Sequence, residues 1–146
     1  MLTYNTFTFE VFEKRQVKKC DDVVLITDLD IGEHEIAGET VSVKSGFSSC
    51  DYRIFVSRDT GHPAVAEFKE KDFSLWYDKK KDRISHITEK KFIAEGFASI
   101  LHFNKGEGSM VCGVKEYEGK KYVICLADLR TENPVAERFL ENLYNL

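Results

Sequence analysis

Alternation of hydrophobic and polar residues predicts a chain built mainly from β-strands. Residues Thr3 to Phe12 alternate in this way, which is the two-residue period of a strand with one buried face. Asp22 to Asp28 contains a continuous apolar run, Gly38 to Lys44 alternates again, and Phe73 to Tyr77 is predicted as a further strand. Near the C-terminus, Met110 to Tyr117 and Lys121 to Leu126 flank a Glu-Gly pair, a pattern typical of an antiparallel hairpin.

A second hairpin is predicted in the middle of the chain. Tyr52 to Ser57 and Ala64 to Phe68 are apolar-rich segments separated by six residues that include Asp59 and Gly61. Aspartate and glycine favour turns, because the aspartate side chain bonds to nearby backbone and glycine tolerates positive φ. We therefore expect these two segments to pair with each other.

Two segments have the spacing of amphipathic helices. Thr88 is a suitable N-cap for a helix over Glu89 to His102, and Asn133 with Pro134 opens a second helix over Val135 to Tyr144. The predicted fold class is therefore α+β, an antiparallel-rich mixed β-sheet with two amphipathic helices in a single domain covering 1–146. Four residues on the apolar faces of the helices are expected to be buried: Phe97, Leu101, Phe139 and Leu143.

Composition indicates a domain that builds its own core. The chain has 146 residues, of which 42% are hydrophobic and 32% charged, enough apolar material to offset the entropy of ordering the chain. It contains neither a signal-like segment nor an apolar run long enough to span a bilayer, so we expect a cytoplasmic protein without membrane contact. The four cysteines include no CxxC pair, and Cys112 and Cys125 lie in apolar strands, which favours buried, reduced thiols.

Charge limits the classes of partner. The formal net charge of −4 argues against general adhesion to nucleic acid but leaves room for a basic patch. Lys79, Lys80, Lys81 and Arg83 form such a cluster and are our candidates for nucleic-acid binding. The alternative is a solvated, highly charged turn.

Three acidic or basic residues are candidates for catalysis. In the predicted hairpin, Asp51 begins the first strand, and Glu67 and Lys69 end the second. If the turn centres on Thr60, the two-residue period places all three on one face. Two carboxylates beside a lysine suit a hydrolytic Mg²⁺ site, because hard oxygen ligands hold the ion and the ammonium stabilises developing charge. The alternative is an ordinary cross-strand ion pair between Arg53 and Glu67.

The segments Cys50-Asp51-Tyr52-Arg53-Ile54-Phe55 and Val65-Ala66-Glu67-Phe68-Lys69 resemble the core motif of the PD-(D/E)xK nuclease superfamily, and within it the Holliday junction resolvases. The resemblance implies a restriction-endonuclease-like core and a homodimer acting on structured or duplex DNA. It also implies that Asp51 and Glu67 bind Mg²⁺ and that Lys69 is the catalytic lysine. The superfamily usually has an additional glutamate on an N-terminal helix. The N-terminal third of this chain is instead predicted to form strands, and Glu35 and Glu39 are the nearest substitutes for that glutamate.

Three functions follow as hypotheses. The first is a metal-dependent endonuclease, a hydrolase of phosphodiester bonds. The second is a noncatalytic interaction protein, for example a phage or mobile-element accessory factor that binds another protein. The third is a nucleic-acid-binding module without catalysis, which would use the basic cluster and the aromatic residues around Trp76.

Overall fold

A computed structural model describes most of the chain from residue 22 onward. The described residues are 22–27, 29–46, 56–59, 61–73, 75–78, 82–86, 88–103, 108–129 and 133–146. The predicted strand from Thr3 to Phe12 lies outside them. Among the described residues, no helix has the length and apolar character needed to cross a membrane.

The fold is dominated by a mixed eight-stranded sheet and a separate two-stranded sheet. Among the described strands, only β1 and β10 pair in parallel, and the other pairs are antiparallel. The first five strands are β1 (Val23–Ile26), β2 (Gly32–Ile36), β3 (Glu39–Ser45), β4 (Val56–Arg58) and β5 (Leu75–Asp78). The next five are β6 (Arg83–His86), β7 (Lys90–Ile93), β8 (Ala98–Phe103), β9 (Ser109–Tyr117) and β10 (Lys120–Cys125).

Strand β9 is the centre of the large sheet. One of its edges carries β8, which in turn pairs with β4. The other edge carries β10 and then β1 along its second half, whereas Met110 near its start pairs with Phe92 of β7. Strand β7 continues the sheet to β3 and finally to β2. The sheet therefore divides at β9, and β2 forms one of its outer edges.

Two hairpins close through two-residue turns. Ala37 and Gly38 have φ of 52° and 77°, and Glu118 and Gly119 have φ of 50° and 79°. Positive φ at both central residues is the type I′ geometry, whose twist matches that of the flanking strands. The predicted hairpin of Met110 to Tyr117 with Lys121 to Leu126 is confirmed as β9 and β10.

The single α-helix of the described residues, α1 (Pro134–Tyr144), confirms the second predicted helix. Asn133 caps it: its side-chain oxygen accepts hydrogen bonds from the backbone N–H groups of Val135 at 2.9 Å and Ala136 at 3.3 Å. Proline at the first helical position loses no helical hydrogen bond, because that N–H has no intrahelical acceptor. Local signals therefore agree with one another along this segment.

Buried side chains form two clusters, one on each face of the sheet. Along β10, Val123 and Cys125 belong to the first cluster and Ile124 to the second, as the two-residue period requires. The first cluster is covered by α1 and the segment 61–73, and its rings include Phe73 and Phe139 with centroids 5.2 Å apart. The second cluster includes side chains from β3, β7, β9 and β10.

The helix predicted over Glu89 to His102 is wrong, because this segment forms β7 and β8 with a turn between them. Phe97 and Leu101 are buried as expected, but in the turn and in a strand. The register of β8 against β9 shifts on either side of Leu101, so Ile100 and Leu101 both enter the first cluster. A β-bulge of this kind interrupts the two-residue period and produces apolar spacing similar to that of a helix.

The predicted hairpin between Tyr52 to Ser57 and Ala64 to Phe68 is also not found. Ala64 to Phe68 is a series of tight turns, with Val65 N–H donating to His62 O and Phe68 N–H to Val65 O. Strand β4 pairs with β8, and residues 51–55 lie outside the described part of the chain. The predicted strand at Phe73 to Tyr77 is found slightly later as β5, after a short 3₁₀-helix, Glu70–Phe73.

Candidate functional site

Glu67 connects the turn segment to helix α1. Its Oε1 accepts a hydrogen bond from Arg138 Nε at 2.7 Å, and its Oε2 accepts one from Arg138 Nη2 at 3.3 Å. Asn142 Nδ2 donates to the same Oε1 and to Ala64 O, both at 3.0 Å. The Glu67 carboxylate raises the pKa of Arg138 further above its ordinary range. Both oxygens of Glu67 are thus engaged by donors from α1.

Lys69 lies two residues farther along and is exposed. Its backbone N–H donates to Asp72 Oδ2 at 2.8 Å, and Asp72 N–H donates to Lys69 O at 3.0 Å. This reciprocal pair caps the 3₁₀-helix and holds the backbone of Lys69 in place. Asp51, the third predicted site residue, lies outside the described residues.

The contacts around Glu67 show how well its carboxylate is placed to bind a Mg²⁺ ion. A hard cation needs several oxygen ligands around it, but the Glu67 oxygens accept hydrogen bonds from the N–H groups of Arg138 and Asn142. In the part of the chain that the structure describes, no three His, Cys, Asp or Glu side chains are grouped to hold a metal. The Glu67 carboxylate therefore binds a guanidinium, and a metal at the same oxygens would compete with Arg138.

Glu35 and Glu39, the substitutes for the additional family glutamate, lie at one end of the β2–β3 hairpin. Glu35 accepts a hydrogen bond from Thr40 Oγ1 at 2.5 Å. Glu39 accepts from Lys115 Nζ at 2.6 Å and from the Gly96 N–H at 3.0 Å. Burial raises the pKa of Glu39, but these hydrogen bonds and the Lys115 charge outweigh that effect and lower the pKa overall. Their partners belong to β3, β9 and the β7–β8 turn, whereas those of Glu67 belong to α1 and the turn segment.

The predicted nucleic-acid-binding cluster falls mostly outside the described residues. Lys79, Lys80 and Lys81 lie there, between β5 and β6. Arg83 begins β6, where its backbone pairs with Asp78 of β5. In sequence, the cluster therefore lies between the end of β5 and the start of β6.

Among the residues that the structure describes, no strand pairs with the outer edge of β2, which leaves backbone hydrogen-bonding groups there. The type I′ turn makes Ile36 and Glu39 the hydrogen-bonded closing pair of the β2–β3 hairpin. Hydrogen-bonded and non-hydrogen-bonded pairs alternate along an antiparallel ladder. The pairs of Glu35 with Thr40 and of Glu33 with Ser42 are therefore non-hydrogen-bonded. Consequently, the N–H and C=O groups of Glu33 and Glu35 point away from β3.

The side chains on this edge are acidic. Asp30, Glu33 and Glu35 are all exposed, and Ile31, immediately before β2, is 62% exposed. Glu33 shares a sheet face with Ser42 of β3 and, one strand farther, with the half-exposed Ile93 of β7. On this face an open cleft lies beside the acidic edge. The cleft is lined by Glu39, Thr40, Ser42, Ile93, Ala94, Glu95 and Gly96.

Sequence reasoning missed both Arg138 and the β2 edge. Arg138 is 71 residues from Glu67, and no local pattern connects them. Strand β2 is polar at most positions, so a search for apolar alternation does not detect it, although the Ala37-Gly38 turn beside a clear strand at β3 was a usable signal.

Comparisons of this chain with protein families, with curated proteins and with solved structures found no match.

Proposed function

We propose that this chain is a noncatalytic protein-binding domain, in which the edge of β2 receives an extended, basic segment of another protein. The observation that supports the proposal is the combination of outward-pointing backbone groups at Glu33 and Glu35 with exposed acidic side chains on the same strand. Addition of a strand to a sheet edge is a recurring mode of peptide recognition, in which backbone hydrogen bonds supply affinity and side chains supply specificity.

The negative charge of Glu33 and Glu35 favours a basic partner over a second copy of β2. A second β2 pairing antiparallel about His34 would place Glu33 of one copy opposite Glu35 of the other, and like charges directly opposite each other are destabilising. A segment with lysine or arginine at alternate positions instead places a cation opposite each glutamate. The edge therefore disfavours self-pairing and favours a partner of opposite charge.

The side-chain contribution can be estimated. An opposite-charge cross-strand pair contributes roughly 0.2–1 kcal/mol, so two pairs contribute about 0.4–2 kcal/mol. That range corresponds to about a 2- to 30-fold difference in the dissociation constant. Apolar residues of the bound segment would add contacts with the exposed Ile31.

A labelled peptide that alternates lysine with valine provides a direct test by fluorescence anisotropy. We expect the full-length chain to bind it, and raised salt or replacement of lysine by glutamate in the peptide to weaken binding. The double variant Glu33→Gln and Glu35→Gln should lose about 2- to 30-fold in affinity while keeping the backbone edge intact. Equal affinity of the wild type and this variant would contradict the charge argument.

A proline variant separates backbone pairing from simple charge attraction. Glu35→Pro removes an N–H that points away from β3, and proline is tolerated on an edge strand at such a position. Its matched control is Glu35→Gln, which also removes the charge but keeps the N–H. We expect the proline variant to bind the peptide more weakly than the glutamine variant. Identical affinities would show that the peptide does not add as a strand at this position.

The metal-dependent nuclease is a second candidate, supported by the Asp51 and Glu67-Phe68-Lys69 resemblance and by the exposure of Lys69. If it is correct, the chain should cut branched or duplex DNA with Mg²⁺, EDTA should stop cleavage, and Asp51→Ala should abolish it. Arg138→Met should then increase Mg²⁺ binding, because it releases the Glu67 carboxylate. Lys80→Ala with Lys81→Ala should weaken binding of DNA. Absence of both cleavage and Mg²⁺ binding in the wild type and Arg138→Met would remove this candidate.

A further inference from the structure

Cys112 and Cys125 face each other across the middle of the sheet. They are direct partners in the register of β9 and β10, and both are free and fully buried. Both side chains belong to the first core cluster, beneath helix α1. The two thiols are therefore cross-strand neighbours in the same part of the core.

The hydrogen-bond pattern identifies which kind of cross-strand pair this is. Leu126 N–H donates to Val111 O at 2.8 Å, so Val111 and Leu126 are a hydrogen-bonded pair. Because the two kinds of pair alternate, the adjacent pair, Cys112 with Cys125, is non-hydrogen-bonded. The same result follows from the type I′ turn, which makes Tyr117 and Lys120 a hydrogen-bonded pair five positions away.

A non-hydrogen-bonded pair brings its side chains closest together. Its Cα atoms lie about 4.5 Å apart, whereas a disulfide requires a Cα separation of about 4.4–6.8 Å. The two cysteines therefore need no movement of the strands to reach bonding distance. A hydrogen-bonded pair keeps its side chains farther apart.

We propose that Cys112 and Cys125 are an oxidation site at which hydrogen peroxide forms a disulfide between β9 and β10. One thiolate attacks the peroxide, releasing hydroxide and leaving a sulfenic acid. The other thiol then attacks that sulfur, the S–S bond forms, and the sulfenic oxygen leaves as water. In total, two thiols and one peroxide give one disulfide and two waters.

Burial sets the speed of this reaction. Burial raises the pKa of the Cys112 thiol, and the neighbouring Cys125 raises it further, so little thiolate is present while the core is closed. Peroxide is small, but it still has to enter beneath α1. The reaction should therefore be slow in the native state and faster when mild denaturant opens the core locally.

The test uses the full-length chain carrying Cys20→Ser and Cys50→Ser, which leaves only the proposed pair of thiols. Peroxide treatment should remove two hydrogen atoms from the intact mass. Trypsin cleaves after Lys115, Lys120 and Lys121, so the peptides containing Cys112 and Cys125 should remain joined until a reductant is added. The oxidised protein should also unfold at higher denaturant concentration, because the cross-link restricts the unfolded chain.

The matched control adds Cys125→Ala to the same background. It should gain oxygen at Cys112, because a sulfenic acid without a resolving thiol oxidises further. In the two-cysteine protein, oxygen gain without hydrogen loss would overturn the proposal, and so would a disulfide between two chains. Unreacted thiols in mild denaturant, under treatment that oxidises a free thiol peptide, would overturn it as well.

Discussion

Removal of the contact between Arg138 and Glu67 tests whether this glutamate anchors the turn segment to helix α1. The variants are Arg138→Met, which keeps the length and apolar character of the side chain, and Glu67→Gln, which keeps its shape. Arg138 Nη1 also lies 3.4 Å from Glu141 Oε2, so the single variant disrupts more than one interaction. A double-mutant cycle isolates the contact of interest.

The coupling free energy expected between Arg138 and Glu67 lies between two limits. Exposed ion pairs contribute about 0–1 kcal/mol, whereas breaking a buried pair costs roughly 3–5 kcal/mol. The side chains of Arg138 and Glu67 are 10% and 32% exposed, and two charge-assisted hydrogen bonds join them. Asn142 continues to donate to Glu67 in the Arg138 variant, and water can reach the carboxylate. We therefore expect a coupling of about 1–2 kcal/mol.

The assay is equilibrium unfolding in urea of the wild type, both single variants and the double variant. A coupling free energy of about 1–2 kcal/mol would support the anchoring role. A coupling within roughly 0.3 kcal/mol of zero, the scatter expected for independent sites, would refute it. In that case the Glu67 carboxylate would be energetically available to another cation, and this result would favour the metal-dependent nuclease.

Two further predictions concern the core and the acidic hairpin. Phe139→Ala should cost about 3–5 kcal/mol in urea unfolding, because Phe139 is fully buried and its ring packs edge-on against Phe73 and Phe68; a cost below roughly 1 kcal/mol would contradict this packing. Glu39→Gln should change how stability depends on pH, because the pKa of Glu39 in the folded state lies below its ordinary value of 4.5. The charged carboxylate therefore stabilises the fold above pH 4.5, and this stabilisation is lost as pH falls through the lowered pKa. The free energy of unfolding of the wild type should exceed that of the variant most above pH 4.5. A stability difference that grows towards lower pH would be inconsistent with the assigned hydrogen bonds.

Elements whose signals are local were predictable from the sequence. At α1, the Asn133 cap, Pro134 and the apolar spacing all indicate the same helix. At β9 and β10, two alternating segments flank a Glu-Gly pair with positive φ. In both cases the residues that determine the structure are neighbours in sequence.

Elements that depend on distant partners were not predictable in this way. The segment from Lys90 to Phe103 becomes two strands because β3 and β9 pair with it, and the irregular register near Leu101 hides the strand period. Ala64 to Phe68 has apolar residues suited to a strand, but they are buried equally well by consecutive turns beneath α1. Tertiary pairing decided the structure at both places.

The same distinction applies to the candidate sites. Sequence reasoning identified Glu67 as a functional candidate by placing it on a strand, and the structure shows that Arg138, far along the chain, is its partner. The edge of β2 became visible only through its register with β3, because that register determines which backbone groups point outward. A polar strand offers no hydrophobic pattern from which this can be inferred.

Amide hydrogen exchange of β2, with and without the lysine–valine peptide, measures the proposed strand addition most directly. In the free protein, His34 N–H should already be protected by β3, whereas the N–H groups of Glu33 and Glu35 should exchange rapidly. Peptide binding should slow exchange at Glu33 and Glu35 and change His34 little. If the peptide binds while these two amides continue to exchange rapidly, the β2 edge is not where the partner adds.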